Sequence, residues 1–108
     1  TGRPRRDALR FLEAHGLRSL FRTIVCSEDA PRKPDPAPVR LALAGLGCRR
    51  AWMLGDTVDD VRAARAAAVL PLGIVAPLDE PALTLPALLA AGAGRVLSSL
   101  DDLFPLLP

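Results

Sequence analysis

The sequence contains few of the residues on which several common classes of protein depend. Only four of its 108 residues are aromatic, and the net charge is +2, with the arginines scattered along the chain. A nucleic-acid-binding surface needs clustered basic residues and stacking rings, so no nucleic-acid partner is expected. No apolar run reaches the length of a membrane span, and no signal peptide opens the chain. We therefore expect no membrane association either.

Cysteine and histidine are equally scarce, which argues against zinc or thiol chemistry. The two cysteines, Cys26 and Cys48, form no Cys-x-x-Cys pair, and the single histidine, His15, precedes a glycine. We interpret both cysteines as small residues in or near a core, and His15 as part of a helix end. Unpaired cysteines indicate a reducing compartment, so we expect a cytoplasmic protein.

The chain also lacks an initiator methionine. It begins with Thr1, and its only methionine, Met53, lies inside a strand-like run. We therefore expect the sequence to be the later part of a longer protein. Its 108 residues suffice for one small domain, and half of them are hydrophobic, so a core is possible.

Strand-like and helix-like segments alternate along the chain. Short apolar runs at residues 23–26, 51–54, 72–75 and 94–97 predict strands. Helices are predicted at residues 4–15, 36–46, 58–68, 80–91 and 98–107. Pro86 is a candidate break in the fourth helix, and Gly45 and Gly47 are interpreted as the stop of the second. The alternation predicts an α/β fold with a parallel sheet wound by right-handed crossovers.

The most informative stretch runs from Trp52 to Val61. An apolar strand ends in Gly-Asp, which puts Asp56 at the strand tip, and Asp60 falls in the first turn of the next helix. Functional groups collect at the carboxyl ends of parallel strands, so the two carboxylates are expected to be close enough to share an ion. Carboxylate oxygens with little other charge nearby suit Mg²⁺ better than zinc.

Helix capping is an alternative explanation for part of this stretch. Thr57 is a suitable N-cap, Thr57-x-x-Asp60 is close to a capping box, and the helix dipole favours acids in a first turn. Capping explains Asp59 fully, and it explains Asp60 about as well as metal binding does. It leaves Asp56 unexplained, because a residue that ends a strand has no capping role.

Two other corners of the chain suit a phosphate group. Lys33, the only lysine beside thirteen arginines, lies in a loop between a strand and a helix N-terminus, on the same face as Asp56. Thr1 and Gly2 offer a hydroxyl and an amide beside the start of the first helix, which together can hold an anion. The alternatives are a solvated surface lysine and an ordinary N-cap turn. A threonine nucleophile activated by its own amine would need processing that the sequence does not show.

The order and spacing of these corners resemble the later motifs of the haloacid dehalogenase superfamily, in the branch similar to phosphoglycolate phosphatases. Lys-Pro-Asp-Pro at residues 33–36 is similar to that branch's lysine motif, and Gly-Asp-Thr-Val-Asp-Asp at residues 55–60 is similar to its acidic motif. The likeness covers nearly the whole chain. It implies a Rossmann-like parallel sheet with flanking helices, in which residues 1–108 are the carboxy-terminal portion of a core domain.

The resemblance implies a role for each corner in binding a phosphorylated substrate. Thr1, Lys33 and Asp56 would be the catalytic residues. Thr1 would bind the phosphoryl group with Gly2 beside it, and Lys33 would neutralise charge on the phosphoryl oxygens and on the nucleophile. Asp56 would ligate Mg²⁺, and Asp60 would hold the metal directly or through water. Phosphoryl transfer depends mostly on positioning and charge stabilisation of this kind.

The sequence also departs from the family's pattern. The family's nucleophile, an aspartate in an Asp-x-Asp motif, and its cap domain have no counterpart here, and Ala68 stands where the family often has glycine. Two strands that would lie between residues 23–26 and 51–54 are missing, which would leave unpaired strand edges. Either the protein's own upstream segment or a partner strand completes the sheet, or residues 23–26 pair directly with residues 51–54.

The main hypothesis is therefore the core of a Mg²⁺-dependent phosphate-monoester hydrolase. It would act on a small phosphorylated metabolite through an aspartyl-phosphate, with the nucleophile outside this chain. The alternative is a non-catalytic α/β module that keeps the fold for binding or assembly. The two hypotheses differ in one expectation, because only the enzyme would depend on Mg²⁺ once the upstream segment is present.

Overall fold

A computed structural model describes residues 1–108, and in it helices and short strands alternate from residue 37 onward. The elements are α1 (Arg5–Ala14), α2 (Ala37–Leu46), β1 (Trp52–Gly55), α3 (Val58–Ala66), β2 (Leu70–Ile74), α4 (Pro81–Ala91) and β3 (Arg95–Leu97). Two 3₁₀ helices, Arg18–Leu20 and Leu100–Leu106, complete the structure. None of the helices combines the length and the apolar character needed to cross a bilayer.

The three strands form one parallel sheet in the order β1-β2-β3. Trp52 pairs with Leu70 and Gly55 with Gly73, and Leu72 pairs with Arg95 on the other side of β2. Because α3 and α4 connect successive neighbouring strands, right-handed crossovers put both helices on the same face of the sheet. The predicted α/β fold is confirmed.

The core lies around α3, which packs on β1 and β2 and touches both α2 and α4. Ala63 and Ala64 of α3 are fully buried against Val39 of α2. On its other side, Val61 packs with Leu88 of α4. Small alanines let the neighbouring helices and strands approach α3 closely, and this helix is therefore held by packing on several sides.

The predicted strand at residues 23–26 is wrong, because this extended segment joins no sheet. Its backbone contacts are instead with the start of the chain: the Thr1 nitrogen donates to the Val25 carbonyl at 2.9 Å, and the Ser27 N–H donates to the Arg3 carbonyl at 3.0 Å. The alternative of direct pairing with residues 51–54 is also wrong, because β1 pairs only with β2. A strand requires a neighbour on its hydrogen-bonding edge, and the local sequence does not supply one.

Two glycine and proline assignments also need correction. Gly45 lies inside α2, where a Cβ atom would come within 3.0 Å of the Thr23 Cβ, so it permits close packing and is not a helix stop. Gly47, with φ of 66°, ends the helix alone. Pro86 does not break α4. Pro86 has no N–H to donate to the carbonyl of Ala82, four residues earlier. Because Ala82 is exposed, water can hydrogen-bond to that carbonyl instead.

Candidate functional site

A cleft of about 980 Å³ separates β1 from the extended segment at residues 23–26. All five residues that the sequence singled out, from three distant parts of the chain, line this cleft: Thr1, Gly2, Lys33, Asp56 and Asp60. The walls are mostly hydrophobic, and the polar residues come from the chain start, the loop before α2 and the turn after β1. The structure therefore brings the predicted residues together, while their roles stay predictions.

Asp56 occupies the first position after β1, at the carboxyl end of the strand. Its side chain is exposed and makes no hydrogen bond to the protein. Both carboxylate oxygens are therefore free to bind a ligand or an ion in the cleft.

Asp60 has the opposite environment. Only 5% of the residue is exposed, and it forms a capping box with Thr57. The Thr57 hydroxyl accepts from the Asp60 N–H at 3.1 Å, and Asp60 Oδ2 accepts from the Thr57 N–H at 3.2 Å. The Lys33 ammonium pairs with the remaining oxygen, Oδ1. The Asp60 carboxylate thus caps α3 through one oxygen and pairs with Lys33 through the other.

Burial and hydrogen bonding shift the pKa of Asp60 in opposite directions. Burial by itself raises the pKa of its carboxyl, but the hydrogen bonds from Lys33 and Thr57 outweigh burial, so the pKa is held below its usual value. The Asp60 carboxylate is therefore charged at neutral pH. Its charge holds the Lys33 ammonium at the edge of the cleft.

Gly55 is a site residue that the sequence reasoning named only as part of a motif. A Cβ atom there would lie 2.8 Å from the Asp60 Cγ, well inside van der Waals contact. Glycine at the end of β1 therefore makes room for the Asp60 side chain beneath the strand. The signal available in the sequence was a glycine before the strand-end aspartate, which also marks a close backbone approach.

Lys33 is held by its ion pair and is not a freely solvated surface lysine. Its side chain is 26% exposed, and its partner Asp60 has a side-chain exposure of 7%. A compact ammonium on a flexible stem can turn toward a second anion while keeping one such partner. This geometry suits a cation that receives a phosphoryl group.

The corner at the chain start differs from the prediction in one respect. The Thr1 hydroxyl accepts from the Arg3 N–H at 3.3 Å. The N-terminus of α1 is already occupied, because the Arg5 N–H donates to both carboxylate oxygens of Glu28, at 2.9 and 3.0 Å. An anion in the cleft would therefore meet Thr1 and Gly2 without this helix terminus.

Comparison with known protein families assigns this chain to one of them. The sequence model of the haloacid dehalogenase-like hydrolase family matches residues 1–74, which include every predicted site residue. The chain belongs to the haloacid dehalogenase-like hydrolase family. The resemblance inferred from the motifs is thereby confirmed.

Sequence relatives and a solved structure agree with this assignment. A protein named imidazoleglycerol-phosphate dehydratase from Phytophthora nicotianae is 47% identical over 79 residues, covering 71% of this chain and 18% of that protein. A phosphoglycolate phosphatase from Rhodospirillum rubrum is 42% identical over 72 residues, covering 64% of this chain and 30% of the relative. A hydrolase from Pseudomonas syringae superposes with a TM-score of 0.81 at 27% identity, covering 98% of this chain and 50% of that structure. The chain thus spans less than a third of these curated relatives and half of the solved hydrolase.

The carboxylate oxygens in the cleft supply part of the ligand set that a hard divalent ion needs. Asp56 and Asp60 supply carboxylate oxygens, and no group of three or more histidine, cysteine or acidic side chains could hold a metal. Asp56 has free oxygens, whereas Asp60 is engaged by Lys33 and Thr57. Mg²⁺ commonly keeps several waters and takes only one or two protein carboxylates, so the residues present are compatible with it.

Proposed function

We propose that this chain is the carboxy-terminal portion of the core domain of a Mg²⁺-dependent phosphate-monoester hydrolase. The reaction would pass through an aspartyl-phosphate whose nucleophilic aspartate lies outside these 108 residues. The observation that carries the proposal is the Lys33–Asp60 ion pair in a cleft that also contains Asp56 and Thr1. A cation, free carboxylate oxygens and a hydroxyl at one site are the groups that phosphoryl transfer needs.

Each residue has a definite task in this proposal. Lys33 neutralises the phosphoryl oxygens and the nucleophile, and the Asp60 carboxylate keeps its ammonium in position. The Thr1 hydroxyl and the Gly2 amide bind the remaining phosphoryl oxygens. Asp56 is the direct ligand for Mg²⁺, and Asp60 reaches the ion directly or through water. Bound Mg²⁺ would supply charge neutralisation at the phosphoryl group.

The proposal includes a strand that completes the sheet. The edge of β1 facing the cleft has no strand partner, and half-exposed apolar side chains such as Trp52, 44% exposed, lie along it. Unpaired apolar edges associate with other strands. We propose that the protein's own upstream segment, or a partner strand, pairs with β1 and carries the nucleophile to Lys33.

The substrate class in the proposal is a small phosphorylated metabolite. Support comes from the Lys33 ammonium and the Thr1 hydroxyl in one cleft and from a relative named phosphoglycolate phosphatase. The proposal also places the protein in the cytoplasm, since Cys26 and Cys48 are both free thiols and Cys26 is buried.

The test is hydrolysis of a panel of phosphate esters by the full-length protein, with and without Mg²⁺. We expect turnover of p-nitrophenyl phosphate that EDTA abolishes and Mg²⁺ restores. Asp56→Asn should lower kcat by a factor of about 100 or more, because one metal ligand is lost. Asp101→Asn, a change at an exposed aspartate of the last 3₁₀ helix, serves as the matched control and should leave kcat unchanged. Absence of any Mg²⁺-dependent turnover would favour the non-catalytic module.

A further inference from the structure

Three residues outside the proposed catalytic set join the chain start to the loop that carries Lys33. They are Arg5, Glu28 and Asp29, which we call the clamp. The two segments that the clamp joins, residues 1–5 and 24–29, are far apart in sequence and belong to no common sheet. The contacts among these residues therefore add to the two backbone hydrogen bonds between the segments in fixing how the segments lie relative to each other.

Glu28 performs a task that the helix itself cannot. Pro4 is the N-cap residue of α1 and forms no side-chain cap. The Glu28 carboxylate takes this role from a distant loop by accepting the Arg5 N–H with both oxygens, at 2.9 and 3.0 Å. This backbone hydrogen bond is the main reason that the pKa of Glu28 lies below its usual value. A carboxylate at a helix N-terminus is favoured by the helix dipole.

Asp29 closes the clamp from the same turn. Its carboxylate pairs with the Arg5 guanidinium and also accepts from the Cys26 N–H at 2.7 Å. The Arg5 side chain is thereby fixed against the turn that begins at Cys26. A single arginine is thus bound through its backbone by one acid and through its side chain by the next.

The position of the clamp connects it to the cleft. Thr1 and Gly2 precede Arg5 by a few residues, and Lys33 follows Asp29 by four residues. Thr1, Gly2 and Lys33 all line the cleft, whereas Glu28 and Asp29 do not. Because residues 23–26 lack strand pairing, regular secondary structure does not fix the Thr1 hydroxyl relative to the Lys33 ammonium. The clamp joins the chain start to residues 24–29 together with the two backbone hydrogen bonds from the Thr1 nitrogen to Val25 and from the Ser27 N–H to Arg3.

We propose that Glu28 and Asp29 are positioning residues, which act through Arg5 to hold the phosphate-binding corner of Thr1 and Gly2 at the right distance from Lys33. The inference rests on the proposed function, since it assumes that these groups bind one phosphoryl group. Neither acid touches the substrate. Displacement of one side of a binding site by about 1 Å is enough to lower turnover by as much as 100-fold.

The experiment uses the full-length protein with p-nitrophenyl phosphate as substrate and inorganic phosphate as competitive inhibitor. Glu28→Gln keeps the size of the side chain but removes its charge and one acceptor oxygen. We expect kcat/KM to fall, and the inhibition constant of phosphate to rise, by about tenfold. Glu28→Asp, which keeps the charge on a shorter side chain, should recover part of both losses.

Two controls separate positioning from general stability. Glu13→Gln makes the same chemical change on an exposed face near the other end of α1 and should leave both constants unchanged. Ser99→Ala removes the N-cap of the last 3₁₀ helix, so it lowers the melting temperature away from the cleft. At comparable stability, Ser99→Ala should bind phosphate as the unmodified protein does.

The outcomes distinguish this inference from the proposed function. A full-length protein that neither hydrolyses the ester nor binds phosphate overturns both. Normal hydrolysis together with an unchanged phosphate constant in Glu28→Gln overturns the positioning role alone, as does an equal loss in Ser99→Ala. If Glu28→Gln does not fold, Glu28→Asp is compared with the same controls, and an unchanged phosphate constant in that variant overturns the inference.

Discussion

The two sides of the cleft are built in different ways. The side formed by β1 and α3 belongs to a sheet with a packed helix layer, and eleven of the 14 buried residues lie after residue 50. The side formed by the chain start and residues 23–29 contains no strand, and its polar contacts are almost all exposed. Packing therefore positions Asp56 and Asp60, whereas hydrogen bonds and one ion pair position Thr1. Since exposed polar contacts contribute little stability each, the second side is expected to be the more easily displaced.

This difference indicates which side of the cleft depends on the rest of the protein. The Asp60 carboxylate has every oxygen partnered within the chain, and no buried side-chain polar atom lacks a partner. The segment at residues 23–26 instead has no strand partner. Adding a strand beside β1 should order that segment more than it changes the turn around Asp60.

The largest effect is expected from Lys33→Ala, which removes the ion pair between the loop before α2 and Asp60. Asp60 would keep its buried charge without the ammonium, at a cost in unfolding free energy of about 3 kcal/mol or less, because Lys33 is partly exposed. Ester hydrolysis by the full-length protein should fall by a factor of about 100 to 1,000. Steady-state kinetics and urea unfolding measure the two losses.

Arg22→Ala, at an exposed position, is the control for Lys33→Ala and should change neither quantity. Lys33→Arg tests the geometry, because a planar guanidinium replaces a compact ammonium at the same charge. Full activity in Lys33→Ala would mean that the two sides of the cleft do not act together.

A smaller effect is expected from Gly55→Ala, which tests only the side of the cleft formed by β1 and α3. The new methyl group has no space beside the Asp60 side chain, so we expect a loss of about 1–3 kcal/mol in unfolding free energy. Ester hydrolysis should fall as Asp60 and Lys33 move. Combining Gly55→Ala with Asp60→Gly should cost less than the sum of the two single changes, since removing the Asp60 Cβ, the atom nearest to the new methyl group, relieves the clash. Strict additivity would show that Gly55 acts on something other than Asp60.

The pH dependence of stability sharpens the same comparison. Because the pKa of Asp60 is lowered in the folded state, its ionised form contributes stability that is fully present at neutral pH. This contribution is lost as the pH falls through the folded-state pKa, which lies on the acid side of the usual carboxyl range. The difference in unfolding free energy between the unmodified protein and Asp60→Asn should therefore shrink between pH 7 and pH 3.

Urea titrations at several pH values measure this difference. In a Lys33→Met background the ammonium no longer lowers the Asp60 pKa, so the pH-dependent difference should become smaller. A difference that grows toward acid pH would contradict the proposed charge state of Asp60.

The smallest effect is expected at Ala68, where a non-glycine residue adopts a left-handed conformation with φ of 60° after α3. Ala68→Gly relieves that conformation and should stabilise the protein by about 1 kcal/mol, without a change in activity. Ala66→Gly, two residues earlier within α3, is the matched control and should destabilise by about 1 kcal/mol. Thermal unfolding of both variants checks the prediction, and equal shifts of the same sign would contradict it.

Much of the fold could be predicted because its signals are local. Thr57 was identified as an N-cap, and the structure confirms the capping box with Asp60. His15 was placed at a helix end, and its Nδ1 lies 2.9 Å from the Phe11 carbonyl at the end of α1. Ala68 stands where the family often has glycine, and it adopts a left-handed conformation directly after α3. Each of these assignments depends on residues within four positions along the chain.

The errors share a different cause. Residues 23–26 have the composition of a buried strand, yet a strand exists only where a second segment supplies hydrogen-bond partners. Gly45 was interpreted as a helix stop because glycine often has that role, whereas here it permits contact with Thr23 from another part of the chain. The clamp was not predicted, since the sequence gives no reason to connect Arg5 with Glu28.

The sequence by itself determined the alternation of helices and strands after residue 36, the capping of α3 and the set of residues proposed to hold a phosphoryl group. Backbone propensity and side-chain chemistry act over a few residues, so they can be read without coordinates. Only the tertiary structure decided that Asp60 binds Lys33, that Gly55 makes space for it, and that Glu28 caps α1. Those contacts join segments more than twenty residues apart, or depend on how closely a strand and a helix approach, and both are consequences of packing.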